Sequence, residues 1–467
     1  MRFRSLVGTA LGALVVLALP LVASADHWAV KQATSTFEYT KNMKPLGFSA
    51  EAYPNNPNFD GWNADLAFWG KKAFQGESNG FRVLDISSPR KPRVIVDYEE
   101  CAGVQGDVIV WKDILVRSWD SPAAAGATCG GMPVPAGQEG VHVFDISDLD
   151  EPEVLAFVPI QCGSHTATGV PDKKNDRLLV YNSSSSNACP WIDIVEVPLD
   201  DPEDASVINR VDSMHTCHDI GVILGKVRKA ACAGGEGVRV FGLGGKNGGS
   251  LDDPELLFHV ELPGVSIGHS AAWSWDGEVI IFGHEPGGGI EARCQASSAE
   301  VDKTLFFLDG DDGEVLGTFV HPRPQTALEN CTWHNYNVVP TSKRRILVAG
   351  NYQSGISVVD FTKPSKAYEF AYADPDPLPC CTSAFGLPLT LGGDWSAYWY
   401  NGRIYESDIT RGLIIWDLHD RRVAGAKKLS HLNPQTQEFS LELRKRGKWS
   451  PWAWFWDGWK NGWKVRW

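Results

Sequence analysis

Phe81-Arg82-Val83-Leu84-Asp85-Ile86-Ser87-Ser88-Pro89 is a run of apolar residues that ends on an aspartate and enters a turn. Gly140-Val141-His142-Val143-Phe144-Asp145-Ile146-Ser147-Asp148 repeats it closely. Looser copies end at Glu196, Gly242, Asp309, Asp360 and Asp417, so the phrase returns at intervals of 46 to 67 residues. A unit of this length built from strands cannot bury both its faces and must stack on its neighbours. The aspartates have a structural reading: a carboxylate at a strand end accepts the backbone N–H groups of the following turn.

Between the phrases lies a second recurrent pair of strands, for example His269 to Ser274 with Glu278 to Gly283, and Ser396 to Tyr400 with Arg403 to Ser407. They are split by the hairpin signals Asp276-Gly277 and Asn401-Gly402. Long amphipathic helices are missing from the pattern. Four short strands per unit and seven units predict an all-β fold, a seven-bladed β-propeller of four-stranded antiparallel blades, in which ring closure removes exposed sheet edges. The expected organisation is a signal peptide over 1–25, an N-terminal extension over 26–46, the propeller over 47–430 and a non-propeller, basic, Trp-rich tail over 431–467.

The phrases at 81–89 and 140–148 resemble the LVIVD repeat of exported bacterial and archaeal proteins, and the likeness extends over most of residues 47 to 430. That resemblance implies a β-propeller and is silent on chemistry. The missing acid at Gly242 is a departure that puts the regularity of the fourth unit in question.

The expectation of export has its own basis. Arg2 and Arg4 precede an apolar run from Leu6 to Val22, and Ala23-Ser24-Ala25 has the small residues of a cleavage site. No Cys follows to carry a lipid, and no later stretch is apolar for the roughly 18 residues of a spanning helix. The chain carries 43 Lys and Arg against 57 Asp and Glu, a net charge of −14. Seven of those cations fall in the last 24 residues, so the remainder is strongly acidic and no nucleic-acid partner is expected.

Ten cysteines in an exported chain point to disulfides. Cys101 with Cys129 and Cys162 with Cys189 occupy matching places in successive units; Cys217 with Cys232 and Cys294 with Cys331 are the next expected pairs. The adjacent Cys380 and Cys381 stay unassigned. No CxxC supports a zinc cluster.

The sharpest chemical signal is histidine at one position of four consecutive units: His165, His218, His269 and His334 each open an inner strand. In a propeller those strand starts line one mouth of the central channel, where converging imidazoles suit a divalent transition metal (Zn, Cu, Fe or Mn, with Ca as a further option if carboxylates join). Candidates to complete or support such a site are His215, His284, Glu77, Glu236, Glu285, Glu406 and Asp408, from the loops facing the same way. The opposing reading is a set of polar residues hydrogen-bonded to one another and to water, duplicated with the repeat. Ser183 to Ser186 lacks the context of a nucleophile elbow, and Gly287 to Gly289 follows no strand-to-helix step that would cradle phosphate.

Three functions stay open on the sequence. The first is a secreted binding platform for a ligand or protein partner at the channel mouth, with a metal on the histidines. The second is a metal-dependent hydrolase or oxidase using the same cluster. The third is a cell-surface protein whose tail, rich in Trp between Trp449 and Trp467, contacts envelope, glycan or membrane surface; a strap docked on the propeller is the plain alternative for that tail.

Overall fold

The computed structural model describes residues 29–50, 61–378 and 391–443. The signal segment, Cys380 and Cys381, and the tryptophans from Trp449 onward lie outside the described residues. Antiparallel four-stranded groups follow one another along the chain. The first holds Asn63–Trp69, Lys72–Glu77, Gly80–Asp85 and Arg93–Tyr98, paired in that order. The repeated phrase is the third strand of its group each time, as in Gly80–Asp85, Gly140–Asp145 and Ile356–Asp360. Its aspartate accepts the turn N–H as expected: Ser87 N donates to Asp85 Oδ1 at 2.9 Å and Ser147 N to Asp145 Oδ1 at 2.7 Å.

First strands of successive groups lie against one another in order, from Asn63–Trp69 through Val108–Trp111, Thr166–Asp172, Ile220–Ile223, Gly268–Trp273 and Asn335–Val338 to Asp394–Tyr400, which returns to Asn63–Trp69. The architecture is all-β and propeller-like. Burial follows position: the second strand Lys229–Gly234 is buried throughout, whereas the fourth strand Arg93–Tyr98 is exposed or half-exposed along its length. The apolar cores sit between neighbouring groups; Val170, Ile192 and Ile194 of one meet Val222, Ala230 and Phe241 of the next. Strands buried on both faces read as continuous apolar runs, which is why the inner strands alternate so little.

The fourth group is regular despite Gly242. Gly237–Gly242 pairs on both sides, with Lys229–Gly234 and Glu255–Glu261. A Cβ at Gly242 would lie 2.0 Å from the carbonyl oxygen of Asn247, so the loop folded over this point leaves room for no side chain.

Two expected boundaries move. The last group has only three strands from its own stretch, and its fourth is Met43–Ala50 from the N-terminus, paired with Gly412–Leu418. Phe37–Tyr39 adds to the neighbouring outer strand Tyr368–Pro375. An unpaired strand edge is costly, and the N-terminal segment covers it. At the other end, residues after 430 do not leave the fold at once. His431–Leu432 pairs with Asn63–Trp69, and Thr436–Gln437 pairs in parallel with Ile220–Ile223. Between them, Asn433 bonds both backbone groups of Val110 and Gln435 Nε2 donates to Asp65 Oδ2 at 2.8 Å. This segment crosses the end of the channel opposite the histidines.

Four disulfides join the expected pairs, Cys101–Cys129, Cys162–Cys189, Cys217–Cys232 and Cys294–Cys331. Such bonds persist in oxidising compartments. Among the described residues no helix is long and apolar enough to cross a membrane.

Candidate metal centre

His165, His218 and His334 sit just before their inner strands and His269 is the second residue of Gly268–Trp273, so all four imidazoles reach one end of the channel. They form a row: ring centroids are 4.4 Å apart for His165 and His218, 3.8 Å for His218 and His269, and 4.4 Å for His269 and His334. The strands approach closely because Gly268 has no side chain. A Cβ there would lie 2.7 Å from the backbone nitrogen of Gly234.

Each ring is held through Nδ1. His165 Nδ1 meets Asp120 Oδ2 at 2.8 Å, His218 Nδ1 meets Asp219 Oδ1 at 3.1 Å, and His334 Nδ1 meets the carbonyl oxygen of Trp395 at 2.6 Å. Carboxylates and carbonyls only accept, so these three Nδ1 atoms carry hydrogen. His269 Nδ1 meets Ser270 Oγ at 2.5 Å; that hydroxyl's one hydrogen has acceptors in the His334 carbonyl and Asp219 Oδ2, which leaves the oxygen to accept from the ring. A neutral ring anchored this way leaves its Nε2 lone pair for a metal, the arrangement in which protein imidazoles bind one.

Two Nε2 atoms, those of His165 and His218, are 2.8 Å apart. Nitrogens each about 2.0–2.1 Å from one ion and at right angles would be about 3 Å apart, so the spacing is near that of two ligands of one metal. In the metal-free state one of the two must donate to the other. Burial pulls the His165 ring down, but the adjoining Asp120 carboxylate outweighs it and sets the ring up to about 9. His218 is lowered by burial and by the charge on His165; His334, lowered by burial, falls to about 3. His165 therefore holds the proton and His218 accepts.

Of the proposed supporting residues, Glu285 joins the row. Its Oε1 is 3.8 Å from His269 Nε2 and 3.6 Å from His334 Nε2, and it accepts the Tyr352 hydroxyl at 2.6 Å. Burial raises this carboxyl to about 7. His215 lies on the rim with its ring exposed. The other expectations are corrected. Glu77 pairs with Arg82 at 2.8 Å inside the first group, and Glu236 is exposed in a hairpin turn. His284 Nε2 donates to the Val301 carbonyl at 2.6 Å, away from the channel. Glu406 and Asp408 gather with Asp394 in a separate buried cluster. Alternation along a strand decides these cases, since residues at loop edges point to either face.

Sequence reasoning missed Asp120, Tyr352 and the Trp395 carbonyl, each brought in from another group. A signal was present for a second ring: the residue after each of the four histidines is polar, namely Thr166, Asp219, Ser270 and Asn335, and Thr166, Asp219 and Asn335 line a narrow space together with Asp107, His218, His269 and His334. Burial pushes Asp107 well up.

Above the histidines opens a cavity of about 540 Å³. Trp62, Val104, Ile267, Ile290, Leu391 and Trp395 give it apolar walls, with Ser184, Asn187 and Thr216 on one side. Disulfides pin the approaches: Cys162 and Cys331 each stand three residues before a site histidine, and Cys217 immediately precedes His218. The two other groupings of Cys and His, around His142 and His321, have their sulfurs tied up in disulfides and offer no thiolate.

The fold and the site together define an all-β, disulfide-stapled, propeller-like protein with a histidine-floored central pocket. No family model and no curated protein matches the chain. Among solved structures it is similar to the computationally designed Ika8 protein, at 12% identity and a TM-score of 0.43 over 80% of this chain and 99% of that one. It is also similar to a putative 6-phosphogluconolactonase from Bacteroides fragilis NCTC 9343, at 10% identity and a TM-score of 0.46 over 84% and 98%.

Proposed function

We propose that the chain is an exported seven-bladed β-propeller of the LVIVD-repeat kind whose central pocket binds a small ligand over one transition-metal ion held by His165, His218, His269 and His334. One observation carries this reading: every Nδ1 is engaged by a fixed neighbour, while the Nε2 atoms of His165 and His218 meet at 2.8 Å and those of His269 and His334 lie 3.8 and 3.6 Å from Glu285 Oε1. Four imidazole nitrogens suit zinc, copper or iron and do not suit calcium, which takes oxygen. The walled cavity above gives a ligand apolar contact and an open side from which to reach the ion. Elemental analysis of protein purified without added metal tests the proposal. Close to one equivalent of a single transition metal is expected, and less than about one tenth of an equivalent, with no uptake on dialysis, rejects it.

Glu285 favours a second reading, a metal-dependent hydrolase or oxidase. A carboxyl raised to about 7 and hydrogen-bonded to Tyr352 is matched to proton transfer near neutral pH. The ion would supply Lewis acidity to a bound oxygen, while Glu285 accepts the proton and Tyr352 orients the carboxylate. Under this reading Glu285→Gln abolishes turnover and leaves metal content unchanged; retained turnover would refute it. For the tail beyond residue 443 we propose contact with an envelope or membrane surface, tested by co-sedimentation with anionic liposomes.

A further inference from the structure

Asp394 opens the inner strand Asp394–Tyr400 and lies opposite Asp408, while Glu406 stands two residues before Asp408 on Arg403–Asp408. Alternation puts Glu406 and Asp408 on the same face, and an oxygen from each of the three acids lies within 4.8 Å of the others. All three residues are fully buried. Close approach of the preceding sheet shapes the place: a Cβ on Gly350 would be 3.0 Å from the Cβ of Asp394.

The acids are not equally satisfied. Asp408 Oδ2 accepts Arg411 Nη1 at 2.6 Å, and Oδ1 accepts the backbone N–H groups of Thr410 and Arg411. Glu406 Oε2 accepts the Trp416 indole N–H at 2.5 Å. Glu406 Oε1 and both carboxylate oxygens of Asp394 are buried and receive no N–H or O–H donor from other residues; the two carboxyls have only each other. Three carboxylates thus face one guanidinium, which is already committed to Asp408. Buried charge of this kind is paired, protonated or bound to a metal.

We infer that Asp394 and Glu406, with an oxygen of Asp408, form a binding site for a hard divalent cation, calcium by ligand type, buried between the last two sheets and separate from the histidines. The donors are all carboxylate oxygens, which calcium prefers and softer metals do not require. The site is placed where the ring closes: Phe37, on the N-terminal strand, packs against Trp416 in a tilted arrangement with ring centroids 5.5 Å apart, and the Arg411 guanidinium lies 5.3 Å from the Phe37 ring. A bound ion would therefore hold together the first two strands of the closing group, Asp394–Tyr400 and Arg403–Asp408. The competing arrangement is a proton shared by Asp394 and Glu406: burial raises both carboxyls, the Glu406 charge raises Asp394 further, and the two carboxyls are close enough to hydrogen-bond.

The two arrangements part on direct measurement with the full chain. After chelation with EGTA, CaCl2 raised to about 10 mM, above the roughly 10⁻⁴–10⁻³ M dissociation constants of extracellular calcium modules, is expected to restore several degrees of melting temperature. Terbium, a luminescent stand-in for calcium, is expected to bind one equivalent with emission sensitised through Trp416, displaced by CaCl2 and not by micromolar zinc or copper. Asp394→Asn and Glu406→Gln are each expected to lose both responses while keeping the transition metal of the histidine site. A melting temperature indifferent to CaCl2, with no sensitised terbium emission from the wild-type chain, would overturn the calcium site in favour of the shared proton. Should either variant fail to fold, the wild-type terbium and calcium titrations decide alone.

Discussion

His165 Nε2 lies 2.8 Å from His218 Nε2, although the two residues are 53 positions apart and begin strands of different sheets. Nothing local brings them together. The meeting depends on Asp120, which fixes His165 from the preceding group, and on Asp219, which fixes His218.

Asp120→Asn should therefore weaken metal binding by about 10- to 100-fold, the usual effect of removing an imidazole's outer partner, with little change in fold. Each of His218→Ala and His269→Ala should abolish stoichiometric metal. Competition with a chromogenic chelator measures all three; an Asp120→Asn protein with wild-type affinity would mean that the carboxylate does not position the ring.

Acid should destabilise the protein through histidines outside the pocket. Burial lowers His142 to about 3 and His321 to about 3, each helped by an arginine, Arg117 and Arg323 respectively. A histidine depressed in the folded state takes up its proton first in the unfolded state. Stability is then full above the unfolded value near 6.5 and falls as pH drops toward 3, by about 1.4 kcal/mol per pH unit per residue. Both His142 ring nitrogens lack partners, and the ring stacks on Phe157 at 4.7 Å. His142→Phe should flatten this slope by one proton in urea melts from pH 7 to 4; an unchanged slope would remove His142 as a contributor.

Removing the Cys162–Cys189 bond with paired alanines should cost about 3.5 kcal/mol, the chain-entropy value for its 27-residue separation. Because Cys162 stands three residues before His165, metal affinity should fall as well. Denaturant melts with and without loaded metal separate the two effects. Equal loss in both would show that the bond supports the fold alone.

Relative to truncation after residue 443, truncation after residue 430 should lower the melting temperature by several degrees. The second deletion strips two strand pairings and the Asn433, Gln435 and Thr436 bonds from the channel end. Differential scanning calorimetry of the two proteins provides the check, and equal melting temperatures would contradict a structural role for 431–443.

The strand phrase was legible because its cause is local: an apolar run needs burial, and a terminal aspartate needs turn N–H groups, wherever the chain goes next. Cysteine pairs could be read for a related reason, since matching places in successive repeats imply matching neighbourhoods. The four histidines stood out by recurrence. Their partners did not, because Asp120, Tyr352 and the Trp395 carbonyl follow no repeat of their own and arrive from neighbouring sheets.

By itself, then, the amino-acid order determined strand periodicity, the sites of the turns, the cysteine pairing and which residue type would recur at the channel mouth. Tertiary structure alone decided that Glu285 faces the histidines while Glu406 turns into the seam beside Asp394, and that residues 43–50 and 431–437 complete the sheets. The physical reason is the two-residue alternation of a strand together with the closure of the ring. The first makes the facing of a loop-edge residue hinge on a single step of register, and the second joins chain ends whose contact no local pattern encodes.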